Sequence, residues 1–114
     1  MRDINERFYD MLEAIQRIEK YTGRGRLAFA SDELIQTYVV HNLQILGEAA
    51  SKTPHEIHDL YPCLPWPKMI GMRNVLVHNY FNIDLEIVWA VVEQELPALK
   101  TALSNILNEG AEAK

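Results

Sequence analysis

The chain has 114 residues, of which 48% are hydrophobic and 24% charged, with a net charge of -5. Such a length and apolar content suit one domain around one core and exclude an intrinsically disordered chain. The single cysteine, Cys63, excludes an intramolecular disulfide framework and fits a reducing cytosol, and the acidic balance argues against a non-specific nucleic-acid binder.

Arg2, Asp3, Glu6 and Arg7 interrupt the opening residues, so no secretory leader is read there. The longest strongly apolar run, 87–92, is far too short to span a bilayer. A soluble cytoplasmic protein with no membrane partner is expected.

Asp3 to Tyr21 reads as an amphipathic helix, because Ile4, Phe8, Met11, Leu12, Ile15 and Ile18 recur at helical spacing. Thr22-Gly23-Arg24-Gly25 ends it, and Leu27 and Phe29 are expected to pack back from the following loop. Arg17, Lys20, Arg24 and Arg26 gather near this turn, either as a local basic rim or as an ordinary solvated helix end.

Ser31 or Asp32 can cap a second helix running to about Ser51. Its apolar residues include Leu34, Ile35, Tyr38, Val39, Leu43, Ile45, Leu46 and Ala49. Gly47 sits mid-helix, which costs up to about 1 kcal/mol relative to Ala unless another backbone approaches closely. Glu48 beside it faces either water or a buried partner, for which Arg73 is the candidate.

Thr53 to Pro67 is a connector in which four prolines forbid a long helix, although His55 to Leu60 can form a short one. His55 and His58 stand three apart, but with no further ligands at metal-binding spacing they read as part of a solvated turn. Trp66, between two prolines, reads as a core anchor. A third helix opens at Trp66 or Pro67, packs through Met69, Ile70, Met72, Leu76 and Val77, and frays near Asn79. Asn82 or Asp84 can cap a fourth, which runs to about Asn108 with a kink at Pro97. The expected fold is all-α: an antiparallel up-and-down four-helix bundle over residues 1–110, with a short extra helix or turn in the connector and a frayed tail at 111–114.

The third helix carries the chemistry. Arg73, Asn74, His78 and Tyr80 interrupt an otherwise apolar run. At about 100° per residue, Arg73 and Tyr80 nearly coincide on a helical wheel, as do Asn74 and His78. If the helix stays regular through Tyr80, one wall presents a guanidinium, an amide, an imidazole and a phenol, the outline of a phosphate-handling site.

Arg73-Asn74, four intervening residues in all before His78, and then His78-Asn79-Tyr80 resemble the Arg-x4-His-x-Tyr motif of the HepT-like branch of the HEPN superfamily. Leu46-Gly47-Glu48-Ala49-Ala50, Tyr61-Pro62, Pro65-Trp66, Gly71-Met72, Val88-Trp89 and Leu96-Pro97 resemble that family in its order. The resemblance implies a dimerising helical bundle with two motif copies around a shared cleft. It also implies a metal-independent endoribonuclease toxin, paired with a minimal nucleotidyltransferase antitoxin that can transfer AMP to Tyr80.

Side-chain chemistry agrees with this reading. RNA brings its own nucleophile, the 2′-OH, so neither a metal nor another cofactor is called for. His78 is assigned as general base or acid and Arg73 as the clamp on the transition-state charge. Asn74 orients the imidazole or binds phosphate, while Tyr80 and Glu48 support or position RNA. One copy of the motif offers one imidazole, which makes acid–base work easier in a homodimer or a larger toxin–antitoxin complex. The alternative is a non-catalytic module that docks a nucleotidyltransferase or a nucleotide. A third reading is a domain that serves only to oligomerise.

Overall fold

The computed structural model describes residues 4–78 and 83–112, with His78 and residues 110–112 described by backbone alone. Every regular element among them is helical: α1 (Ile4–Thr22), α2 (Arg26–Ser31), α3 (Glu33–Ser51), α4 (His55–Leu60), α5 (Trp66–His78), α6 (Leu85–Ala90) and α7 (Leu96–Glu112). A π-helical stretch, Val91–Glu95, joins α6 to α7, so these act as one long rod. The bundle therefore has four principal members: α1, α3, α5 and the α6–α7 rod.

Phe8, Met11, Ile15 and Ile18 on α1 are fully buried, as the helical spacing of that stripe requires. They meet Val39, Leu43 and Leu46 of α3 and Leu96, Leu99 and Leu103 of α7 in one core. α3 is flanked by α1 and by α5, and α7 packs on the far side of α1. Asp32 is the α3 cap: its Oδ1 accepts from Leu34 N at 2.9 Å and Ile35 N at 3.3 Å. Asp84 caps α6 in the same way, accepting from Glu86 N at 2.9 Å.

Several sequence expectations need correction. Residues 26–31 form a helix rather than a loop, entered through Gly25 at φ 99°, where an L side chain would be strained. One short helix buries one side only: Phe29 packs on Trp89 with ring centroids 5.3 Å apart, and Leu27 is left 84% exposed. Leu34 is exposed as well, since the adjacent Ile35–Val39 stripe, about 100° round the helix, faces the core. The disturbance expected as a kink at Pro97 takes the form of the π stretch just before it. Leu96 N–H reaches back five residues to Val91 O, ahead of a proline that has no N–H to give. Finally, α7 continues through Gly110 to Glu112, because a single glycine weakens a helix without ending it.

The connector folds back on the core. Trp66 is buried and donates from Nε1 to Tyr61 O at 2.9 Å, and its face stacks on His58 at 4.2 Å. His58 in turn bonds Ala50 O at 3.2 Å, so the imidazole joins α4 to α3 and α5. Among the described residues, no group of three or more His, Cys, Asp or Glu is placed to hold a metal ion. No helix there is long and apolar enough to cross a membrane.

Candidate functional site

The site begins at Gly47. A Cβ placed there would lie 2.2 Å from Arg73 Cβ and 2.8 Å from Met69 O, so α5 rests directly on the α3 backbone. Leu43, one turn earlier on α3, shares a hollow with Met72 and Leu76. The two helices consequently run antiparallel, and α5 advances from Gly47 towards His41 as it approaches its end.

Arg73 leaves this contact with its guanidinium already engaged. Nη2 lies 2.7 Å from Glu48 Oε2, and Nη1 donates to Asn74 Oδ1 at 3.0 Å. The other Glu48 oxygen is 3.3 Å from Lys52 Nζ. The Glu48 carboxyl is pulled below its ordinary pKa, first by the Lys52 hydrogen bond and then by the charge of Arg73, against an opposing desolvation. About a third of each side chain in the Arg73–Glu48 pair is exposed (32% and 38%), so the pair positions the guanidinium more than it stabilises the fold.

Beside this pair lies an open hollow of about 360 Å³. Its floor is the α3 stripe His41, Gln44, Ile45 and Glu48, residues three and four apart on one helix face. Arg7 and Asp10, one turn apart on α1, form one wall, and Arg73 and Val77 of α5 form the other. Val77, expected in the core, is 44% exposed because it faces this space. The described part of α5 runs one residue further, to His78. A second hollow, of about 470 Å³, adjoins the first and shares His41 and Gln44 with it.

Of the residues singled out from sequence, Arg73, Asn74 and Glu48 come together. Asn74 spends its carbonyl on Arg73, and the His78 backbone lies on the same helix. The His78 side chain and all of Tyr80 lie outside the described residues. None of Arg17, Lys20, Arg24 and Arg26 lines the hollow. Arg17 pairs with Glu13, Lys20 and Arg24 lie over the Tyr21 ring, and Arg26 is 3.9 Å from Glu86. Sequence reasoning missed Arg7, Asp10, His41 and Gln44. The available signal was polar residues at helical spacing (7 and 10; 41, 44 and 48) on helices whose remaining faces are apolar.

Three helices of the bundle thus bring an oriented guanidinium to the wall of one open hollow. The family model described as "Ribonuclease HepT-like" matches residues 11–106, and the chain belongs to this HepT-like family of the HEPN superfamily. It is 37% identical over 92 residues to "Probable ribonuclease HepT" of Thermococcus cleftensis, covering 80% of this chain and 84% of that protein. It is 34% identical over 109 residues to "Putative RNase MJ1216" of Methanocaldococcus jannaschii, covering 95% of this chain and 90% of that one. No solved structure matches the chain.

Proposed function

We propose that this protein is the RNA-cleaving toxin of a toxin–antitoxin pair and acts without a metal. The observation that carries the reading is the Arg73 guanidinium, held by Glu48 and Asn74 at the wall of an open hollow, five residues before His78 on the same helix. A guanidinium has five N–H donors, so those not facing Glu48 and Asn74 remain for a phosphoryl group. Its preset orientation lowers the reorganisation needed as charge grows on the phosphoryl oxygens. His78 accepts or donates the proton, and Asn74 and Glu48 hold Arg73 while it works.

In the same reading the active form is a homodimer, in which the exposed apolar Val75 and Ile87 beside α5 find cover. A nucleotidyltransferase partner neutralises the toxin by docking, by AMP transfer to Tyr80, or by both.

The test is purified protein with single-stranded RNA in excess EDTA, beside Arg73→Ala and His78→Ala. Cleavage by the wild type alone, leaving a 2′,3′-cyclic phosphate or the derived 3′-phosphate, is the expected result. Activity that disappears in chelator and returns with added metal would overturn the mechanism. Binding of a nucleotidyltransferase or a nucleotide, with no RNA cleavage under any condition, would favour the non-catalytic docking module. Glu48 and Asp10 in the hollow give that second reading its footing, because they oppose a polyanion.

A further inference from the structure

Cleaving RNA through its 2′-OH needs two proton transfers, one from the nucleophile and one to the departing 5′-oxygen. The motif on α5 supplies one imidazole. The fold places a second at the same hollow: His41, one of the α3 residues on its floor, opposite the wall formed by Arg73 and Val77. No motif points to His41, because it lies on a different helix, 32 positions before Arg73 in the chain.

Three observations single His41 out. It is exposed and makes no hydrogen bond or ion pair among the described residues, so its ring is free to meet a substrate. The nearby carboxylate on its own helix, Glu48, is engaged by Arg73 and Lys52. The antiparallel register also runs α5 from Arg73, level with Gly47, towards His41: about 7.5 Å of helix to His78, against about 9 Å of α3 from Gly47 to His41. The end of α5 thus arrives near the level of His41, with Arg73 one to two turns behind both.

We infer that His41 is a further catalytic residue, the general acid that gives its proton to the leaving 5′-oxygen. The inference rests on the ribonuclease reading above. His78 removes the 2′-OH proton, the 2′-oxygen forms a bond to phosphorus, and the bond from phosphorus to the 5′-oxygen breaks. The His41 imidazolium protonates that oxygen, leaving a 2′,3′-cyclic phosphate and a 5′-hydroxyl. Arg73 faces the non-bridging oxygens throughout. His41 also borders the adjoining hollow, which puts it where the strand beyond the cut would leave.

The experiment compares two strands of identical sequence, each with one ribonucleotide at a position the wild-type protein cuts. In one strand the leaving 5′-oxygen is replaced by sulfur, which departs as a thiolate and needs no acid. His41→Ala is expected to cut the oxygen strand about 100-fold or more slowly than wild type. It should cut the sulfur strand within a few-fold of wild type, whereas His78→Ala stays slow on both. Equal losses on the two strands would show that His41 only positions RNA and would overturn the assignment. Wild-type rates on both would overturn it equally. A wild-type protein inert towards both strands would instead remove the ribonuclease reading, and this inference with it. Circular dichroism of His41→Ala checks that the loss is not one of folding.

Discussion

Gly47 and Arg73 are so close that a Cβ on the first would sit 2.2 Å from the Cβ of the second. The glycine therefore fixes where the guanidinium starts, and Glu48, the next residue, fixes where it ends, 2.7 Å from Oε2. One residue pair on α3 sets both the depth and the direction of the Arg73 side chain.

Gly47→Ala should destabilise the protein despite improving helix propensity. Alanine gains up to about 1 kcal/mol in an exposed helix. Here it must push back Arg73 and the Met69 carbonyl, an overpacking that costs about 1–3 kcal/mol. Urea unfolding should show a lower midpoint, and RNA cleavage should fall with it. A more stable variant would contradict the close α3–α5 contact.

Arg73→Ala should abolish cleavage and leave the fold intact. Losing an ion pair about a third exposed costs less than about 1 kcal/mol of stability. Losing a preorganised donor to the phosphoryl oxygens costs about 3–4 kcal/mol of the barrier, or two to three orders of magnitude in rate. Arg73→Lys should recover little, since an ammonium cannot reproduce the fork that meets Glu48 and Asn74 together. Single-turnover rates set against thermal unfolding curves separate the two effects.

Glu48 should make stability depend on pH in one direction. Its folded pKa is lowered, so the carboxylate contributes fully above its ordinary value of 4.5, and that contribution disappears as pH falls through the lowered value. Wild type should exceed Glu48→Gln in stability at pH 7, and the gap should close in the acid range. A gap that widens on acidification would reverse the sign. Cleavage by Glu48→Gln should fall at neutral pH, because Arg73 loses its anchoring charge.

A homodimer should form and should depend on the apolar flank of α5. Val75 is 57% exposed and Ile87 63% exposed, on either side of a hollow that Met72, Leu76 and Val88 also line. Exposed apolar surface of this kind suits an interface between subunits. Sedimentation velocity at micromolar concentration should give a dimer for wild type and a monomer for Ile87→Glu. A monomeric wild-type protein would count against it.

In the proposed reading, AMP transfer to Tyr80 should silence cleavage. An AMP phosphodiester adds negative charge that would compete with the RNA phosphate for Arg73 and repel the RNA backbone. Intact mass and peptide mapping after incubation with the cognate nucleotidyltransferase and ATP should place AMP on Tyr80. Tyr80→Phe should keep cleavage and resist the inhibition. AMP on Tyr9, Tyr21, Tyr38 or Tyr61 would redirect the assignment.

Periodicity disclosed the four principal helices and the buried stripe of α1, because these depend on spacing along one chain, while residue type narrowed the caps to Ser31 or Asp32 and to Asn82 or Asp84. The family was legible through a resemblance carried by short runs along the whole chain, among them Leu46-Gly47-Glu48 and Gly71-Met72-Arg73-Asn74. Gly47 and Glu48 announced that something approached α3, since a mid-helix glycine and a carboxylate among alanines each call for a neighbour. The tertiary structure decided what sequence spacing cannot carry. Leu27, Leu34 and Val77 are apolar by type, yet packing directions leave them exposed. Pro97 announced a disturbance, which the structure realises as a π stretch just before it, where Leu96 N–H reaches Val91 O. Arg7, Asp10, His41 and Gln44 became site residues only when three helices, distant in the chain, came side by side. A helical period reports which residues share a face, and only packing decides which faces enclose the same space.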